Sequence, residues 1–183
     1  MGADLNNADF SHAYLANVNF WVASTPTNDY FASADMRGVQ NFIPRPGTFT
    51  NTIREDGTIS GLDLDSGDHL DVRDYDGNPA LGTAPIAIQI TQHFTMSEGG
   101  TLRMIFEEDA WNSTISFAPG IAVTLGGTLE LAFAPNVDLL SQFGRTLQLF
   151  DWTGVAPIGT FDNFLVDPRW DLSQLYTTGE VTL

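Results

Sequence analysis

The residues best suited to chemistry lie in one short stretch, DLDSGDHLDVRDYDGNP, which places six aspartates between Asp63 and Asp76. Clustered carboxylates are what a hard divalent cation needs, because calcium gathers many oxygen ligands at once. Asp71, Asp74 and Asp76 are the three that a calcium ion would take. An EF-hand frame does not fit them. With Asp74, Asp76 and Gly77 in its third, fifth and sixth positions, Val72 falls first and Thr83 falls where a bidentate carboxylate belongs. The alternation of the stretch favours a structural reading instead: Leu70 and Val72 face the core, Asp71 and Arg73 face water, and residues 74–79 form a solvated turn. Apart from this possible calcium, no cofactor is called for.

Other reactive sets are weaker. Glu107, Glu108 and Asp109 could supply the paired carboxylates of a glycoside hydrolase, yet adjacent residues at a strand end point in different directions. Asp151 and Trp152 combine a carboxylate with an aromatic ring, as sugar sites do, while Trp152 suits a core equally well. His12, His69 and His93 have no metal-ligand spacing. No Cys and no Lys occur, which removes disulfides, thiolate chemistry, Schiff bases and a P-loop lysine. Asn112-Ser113-Thr114 is a glycosylation sequon in a secretory eukaryotic setting. No catalytic residue is nominated, and the chain reads as a non-enzyme.

Composition narrows the partners. Twenty-three acids stand against seven basic residues, all Arg, for a net charge of −16. Such a field repels phosphate backbones and anionic lipid, so nucleic acid is not expected as a partner. No apolar run approaches the roughly 18 residues of a membrane span, and no basic region followed by an apolar one opens the chain. Membrane insertion is not expected. The chain is either cytoplasmic or a form from which a signal has been removed. The acids are mostly Asp, which suits turns better than helices.

Something must position these groups, and the first element is a repeat. GADLNNADFSHAYLANVNF places Leu5, Phe10, Leu15 and Phe20 five apart, with Ala3, Ala8, Ala13 and Val18 two places before them. Neither a helix nor a strand has that period. The pattern resembles the pentapeptide-repeat family, and the resemblance implies a four-sided right-handed β-solenoid with these eight residues inward. One more unit, Ala34-Asp35-Met36-Arg37-Gly38, follows out of register. Four units make about one coil, which must lean on something else.

Beyond Asn41 the segment NFIPRPGTFTN reads as a connector. TISGLDL, HLDVRDYDG, PIAIQITQHF, GTLRMIF, STISF, IAVTLGGTLELAF and RTLQLF then alternate with period two. Gly100–Phe106, Gly127–Phe133 and Arg145–Phe150 repeat one another at offsets of 27 and 18 residues, a plausible rung of a parallel β-helix, though sandwich hairpins could also generate it. NVDLLSQFG, capped by Asn136, and DLSQLY are the helical candidates. The expected fold is all-β: a right-handed β-solenoid or β-helix with an N-terminal pentapeptide coil and one or two short helices, the alternative being a β-sandwich. The expected division is residues 1–40 as coil and insertion, 41–56 as connector, and 57–183 as the main β-domain.

Residues 71–183, and LFDWTGVAPIGTF and WDLSQLYTTGEV above all, resemble the region upstream of the sorting tail in bacterial PEP-CTERM proteins and related autotransporter-like secreted β-proteins. The resemblance implies export to the cell surface or extracellular matrix, although neither signal peptide nor sorting tail is part of this sequence. The expected function is therefore a non-catalytic structural protein that self-associates into filaments or a matrix by end stacking. The alternative is a module that binds or degrades extracellular polysaccharide.

Overall fold

Short runs that alternate β-branched or aromatic residues with polar ones become strands where Gly, Asp and Asn close them. The computed structural model describes residues 5, 8–20, 29–42, 47–107 and 111–183. Its strands are β1 (Asp29–Tyr30), β2 (Gly47–Thr48), β3 (Thr58–Leu64), β4 (His69–Arg73), β5 (Ile88–Met96), β6 (Thr101–Phe106) and β7 (Ile115–Phe117). They continue with β8 (Ala122–Leu125), β9 (Thr128–Phe133), β10 (Thr146–Gln148), β11 (Phe150–Asp151), β12 (Ile158–Gly159), β13 (Asn163–Leu165) and β14 (Glu180–Thr182).

All-β is the class, but the chain is not one right-handed solenoid. Its strands fall into four sheets: β1 with β2, β10 with β14, a six-stranded sheet ordered β11-β7-β5-β8-β12 with β3 also on β5, and a four-stranded sheet ordered β13-β9-β6-β4. The distance in sequence between paired strands is not constant. Asp9 lies opposite Tyr30 and Asp35 opposite Ile53, Thr101 opposite Thr128, and Phe150 opposite Ile115. The last pair, β10 with β14, is antiparallel. The physical reason is that the five-residue corner is kept only in the N-terminal passes, while later returns differ in length. A β-sandwich does not describe the molecule either, since both large sheets pair in parallel and sandwich sheets are antiparallel.

The repeat at 100–106 and 127–133 is one the structure uses directly. β6 and β9 lie side by side with Thr101 on Thr128, Leu102 on Leu129 and Met104 on Leu131. The third copy departs from this: β10 leaves the sheet and pairs with β14, and β13 takes the place beside β9. Alternation then does the packing. Leu70, Leu102 and Leu129 form one inward row and Val72, Met104 and Leu131 the next, all buried. Among the described residues helix is confined to two 3-10 turns, Pro79–Leu81 and Leu139–Gln142. The second is capped by Asp138, whose side chain accepts from Leu140 N, rather than by Asn136.

Of the eight repeat positions, Ala3 lies outside the described residues. Phe20 is buried, Leu5, Phe10 and Leu15 pack partly buried against a cluster of Phe20, Phe31, Ala34, Met36 and Val39, Ala8 and Ala13 are half-buried, and Val18 is exposed. Residues 47–53, within the expected connector, pair with residues 29–35 as a further pass.

Arg37 joins these N-terminal passes to the rest. It is fully buried beside a buried Asp35. Its Nε and Nη2 donate to the Asp35 carboxylate at 2.6–3.2 Å. Nη2 also donates to Arg73 O at 2.8 Å, and Nη1 donates to Ser113 Oγ at 2.7 Å and Ile86 O at 3.3 Å. Next to it Gly38 has φ +67°, and a Cβ there would sit 2.0 Å from Tyr75 Oη. Removing one member of a buried ion pair leaves an uncompensated charge. Arg37→Leu is expected to cost about 3–5 kcal/mol by urea denaturation, and the Asp35→Leu/Arg37→Leu double variant less than the sum of the two single losses. A double variant that loses the full sum would show that the two residues do not act as a pair.

Candidate functional site

The outward face of the four-stranded sheet is where polar side chains converge. On β4 the alternation that buries Leu70 and Val72 turns His69, Asp71 and Arg73 outward. Register places Asp71 beside Arg103 on β6, Arg103 beside Glu130 on β9, and Glu130 beside Leu165 on β13. Arg103 Nε lies 2.9 Å from Glu130 Oε2 and Nη1 lies 3.4 Å from Asp71 Oδ1. These are half-exposed pairs in which water screens most of the attraction, so they order the face more than they stabilise the fold.

The N-terminal passes build a wall along the β4 side. His12 stacks flat on His69, ring centroids 3.9 Å apart and planes within 8°. Tyr14 lies under the Arg73 guanidinium at 5.7 Å, and its hydroxyl approaches Asp74 O at 3.4 Å. Although 48% of Tyr14 is exposed, loss of water around the phenol, reinforced by the Asp35 charge, pushes it up to about 12. Between wall and strand lies a cleft of about 140 Å³ lined by His12, Tyr14, Ser33, Asp35, Asp71 and Arg73. A second, more open hollow of about 300 Å³ continues over His69, Arg103 and Glu130.

The three expected calcium ligands part company. Asp71 faces outward toward Arg103. Asp74 and Asp76 turn toward Asn112: Asn112 N donates to Asp74 Oδ1 at 2.6 Å and Asn112 Nδ2 to Asp76 Oδ1 at 2.5 Å. Among the described residues no group of three or more His, Asp or Glu is placed to hold a metal. The expected solvated turn is also partly interior, with Asp74 7% and Tyr75 2% exposed.

Glu108 and Asp109 lie outside the described residues. Asp151 accepts from Thr153 N in an exposed turn, while Trp152 is buried in the core and donates from Nε1 to Leu175 O at 2.8 Å. In the sequon, Ser113 is fully buried beneath Arg37. The pairing of His12 with His69 and of Tyr14 with Arg73 joins residues about sixty positions apart, and no local spacing announces it. The one signal available was the alternation that turns His69, Asp71 and Arg73 to a common side.

Compared with known proteins, the chain matches no family model, no curated protein and no solved structure.

Burial pushes the Asp74 carboxyl above the ordinary aspartate range, and the Asp76 charge adds to this against the hydrogen bond from Asn112 N. Its second oxygen is buried without a hydrogen-bond partner. The fold therefore favours the protonated acid: its stabilising effect is full below the ordinary value near 3.8 and is lost as pH rises through the raised one. The Tm of Asp74→Asn minus that of the parent should be highest at neutral pH and decline as pH falls through the raised pKa. Thermal melts of both proteins from neutral to acid pH check this; a constant difference would show that Asp74 is not the group involved.

Proposed function

We propose that the chain is a non-catalytic structural protein of the cell surface or extracellular matrix that self-associates by pairing open sheet edges with a second copy. The observation that supports this reading is the state of the last parallel pass. β12 and β13 are the end strands of their sheets. The inward row that runs through Leu70, Leu102 and Leu129 ends in register at Phe164, which is 38% exposed. Ile158 and Leu165 beside it are 68% and 58% exposed. An edge that offers both unpaired backbone and apolar side chains is a template for another strand, and natural proteins either block such edges or use them.

Residues 167–183 block only part of this end. β14 covers β10, Gly179 O accepts from Leu149 N and Phe150 N at the start of β11, and Trp170 stacks on Phe133. No described backbone hydrogen bond reaches β12 or β13 from that segment. The uniform negative charge opposes disordered aggregation and leaves room for divalent cations between copies.

The exposed cleft on the other face favours a second reading, a module that binds polysaccharide, because an exposed tyrosine beside charged hydrogen-bonding groups is a sugar platform.

Sedimentation velocity over a concentration series, with and without millimolar calcium, tests self-association. The parent should form species larger than one chain, and Ile158→Lys/Leu165→Lys, which places charge on the edge, should stay monomeric with an unchanged far-UV spectrum. A parent that remains monomeric at high concentration in both conditions would overturn the reading.

A further inference from the structure

The cleft beside β4 contains an arginine, Arg73, that has no carboxylate partner among the described residues. The chain has seven Arg against 23 acids, and the described ones are spoken for almost everywhere. Arg37 is held by Asp35, Arg103 by Glu130 and Asp71, Arg169 by Asp167, Arg145 by Glu107 O and Gln142 Oε1, and Arg54 lies over the Phe49 ring. Arg73 is different. Among the described residues its guanidinium makes no ion pair, and its contact is the Tyr14 ring. Its backbone is fixed, because Arg73 O accepts from Arg37, and its side chain lines the cleft with Ser33 and His12.

Each of the two carboxylates on the same wall has an arginine beside it. Asp35 accepts from Arg37 Nε, Nη2 and backbone N, and Asp71 faces Arg103. What remains to meet a ligand is the Arg73 fork, the Ser33 hydroxyl and an imidazole edge. An arginine fork matches a planar oxyanion with two parallel hydrogen bonds. Asp35 and Asp71 still disfavour a dianion, which selects a carboxylate over a phosphate. The volume of about 140 Å³ admits one such group and little more, while Tyr14, which lines the cleft and is half-exposed, can pack against the body of a sugar ring.

From this arrangement we infer that the His12–Arg73 cleft binds the carboxylate of an acidic sugar, a uronate, with Arg73 as its counter-ion and Tyr14 as the platform for the ring. This site is separate from the β12 and β13 edge and does not rest on self-association.

The experiment uses the full chain and its three histidines as reporters. Proton NMR follows their C2 resonances, assigned with His→Gln variants, during titration with D-glucuronate, with D-glucose and with inorganic phosphate. Glucuronate should shift His12 and His69 in a saturable way and leave His93, which bonds to Asp63 on another sheet, unmoved. Arg73→Gln should weaken this by about tenfold or more, the loss of hydrogen bonds to a charged group, while Arg169→Gln, whose residue pairs with Asp167 and does not line the cleft, should retain it. The monomeric edge variant should bind as the parent does. No shift with glucuronate, equal shifts with glucose, tighter binding of phosphate, or full binding by a folded Arg73→Gln protein would each overturn the inference.

Discussion

The structure turns on one buried guanidinium. Arg37 spends its donors on Asp35, on the β4 backbone at Arg73, on Ile86 just before β5, and on Ser113 just before β7. A buried ion pair is seldom more stabilising than apolar residues of the same size, because both charges are stripped of water. What a planar fork adds is direction. Each bond fixes a distance and an angle, so the N-terminal passes can sit on the β-body in one position only. Tyr75 closes the arrangement, stacking near Arg37 at 5.1 Å and donating to Asn17 Oδ1 at 2.9 Å, with Gly38 leaving the space its ring needs.

That docking solves an edge problem. A parallel sheet has two open sides, and the first strands of both large sheets meet the N-terminal passes. The Asn51 side chain accepts from Asp63 N and donates to Asp63 O, which substitutes for a neighbouring strand beside β3. Arg37 and Tyr14 bond to Arg73 O and Asp74 O and do the same at β4. These are side-chain caps on specific atoms, and they terminate pairing where another strand would extend it. At the opposite side the C-terminal segment covers β10 and β11, while among the described residues no further strand lies beside β12 and β13. Among the described residues the two sides of the sheets therefore differ, one capped by side chains and the other only partly covered.

Strand positions were readable from the sequence because period-two alternation with glycine stops has a single physical meaning. TISGLDL, GTLRMIF and GTLELAF became β3, β6 and β9, and the 27-residue repeat marked two strands that lie in register. Assembly was not readable. A repeat says that two segments are alike, not which sheet they join, so Arg145–Phe150 gave no hint that β10 would pair antiparallel with β14. The uniform solenoid inferred from the opening repeat fails for the same reason, since returns of unequal length split the strands into separate sheets. The cleft was invisible because His12 and Tyr14 meet His69 and Arg73 only through the Arg37 docking, and Arg37 itself looked like an ordinary polar position in an out-of-register repeat unit.

The negative charge has a structural origin that bears on association. Asp9, Asp35, Asp56, Asp151, Asp167 and Asp171 each accept a hydrogen bond from the backbone N of the residue two places on. This is the Asx turn, which Asp makes and Glu, one carbon longer, does not. A fold with a sharp turn between short strands thus accumulates Asp for geometric reasons. At four of these aspartates the bonds favour the ionised form: the Ser11 and Thr153 hydroxyls and backbones hold Asp9 and Asp151 below the usual range, the Arg169 side chain holds Asp167 at about 2, and Ser173 lowers Asp171. At neutral pH the net charge of −16 makes copies repel one another. Only a contact with close, directional bonds overcomes that repulsion, and strand-to-strand pairing is such a contact. On the proposed edge pairing, the demand for turns and the selectivity of the contact are consequences of the same residues.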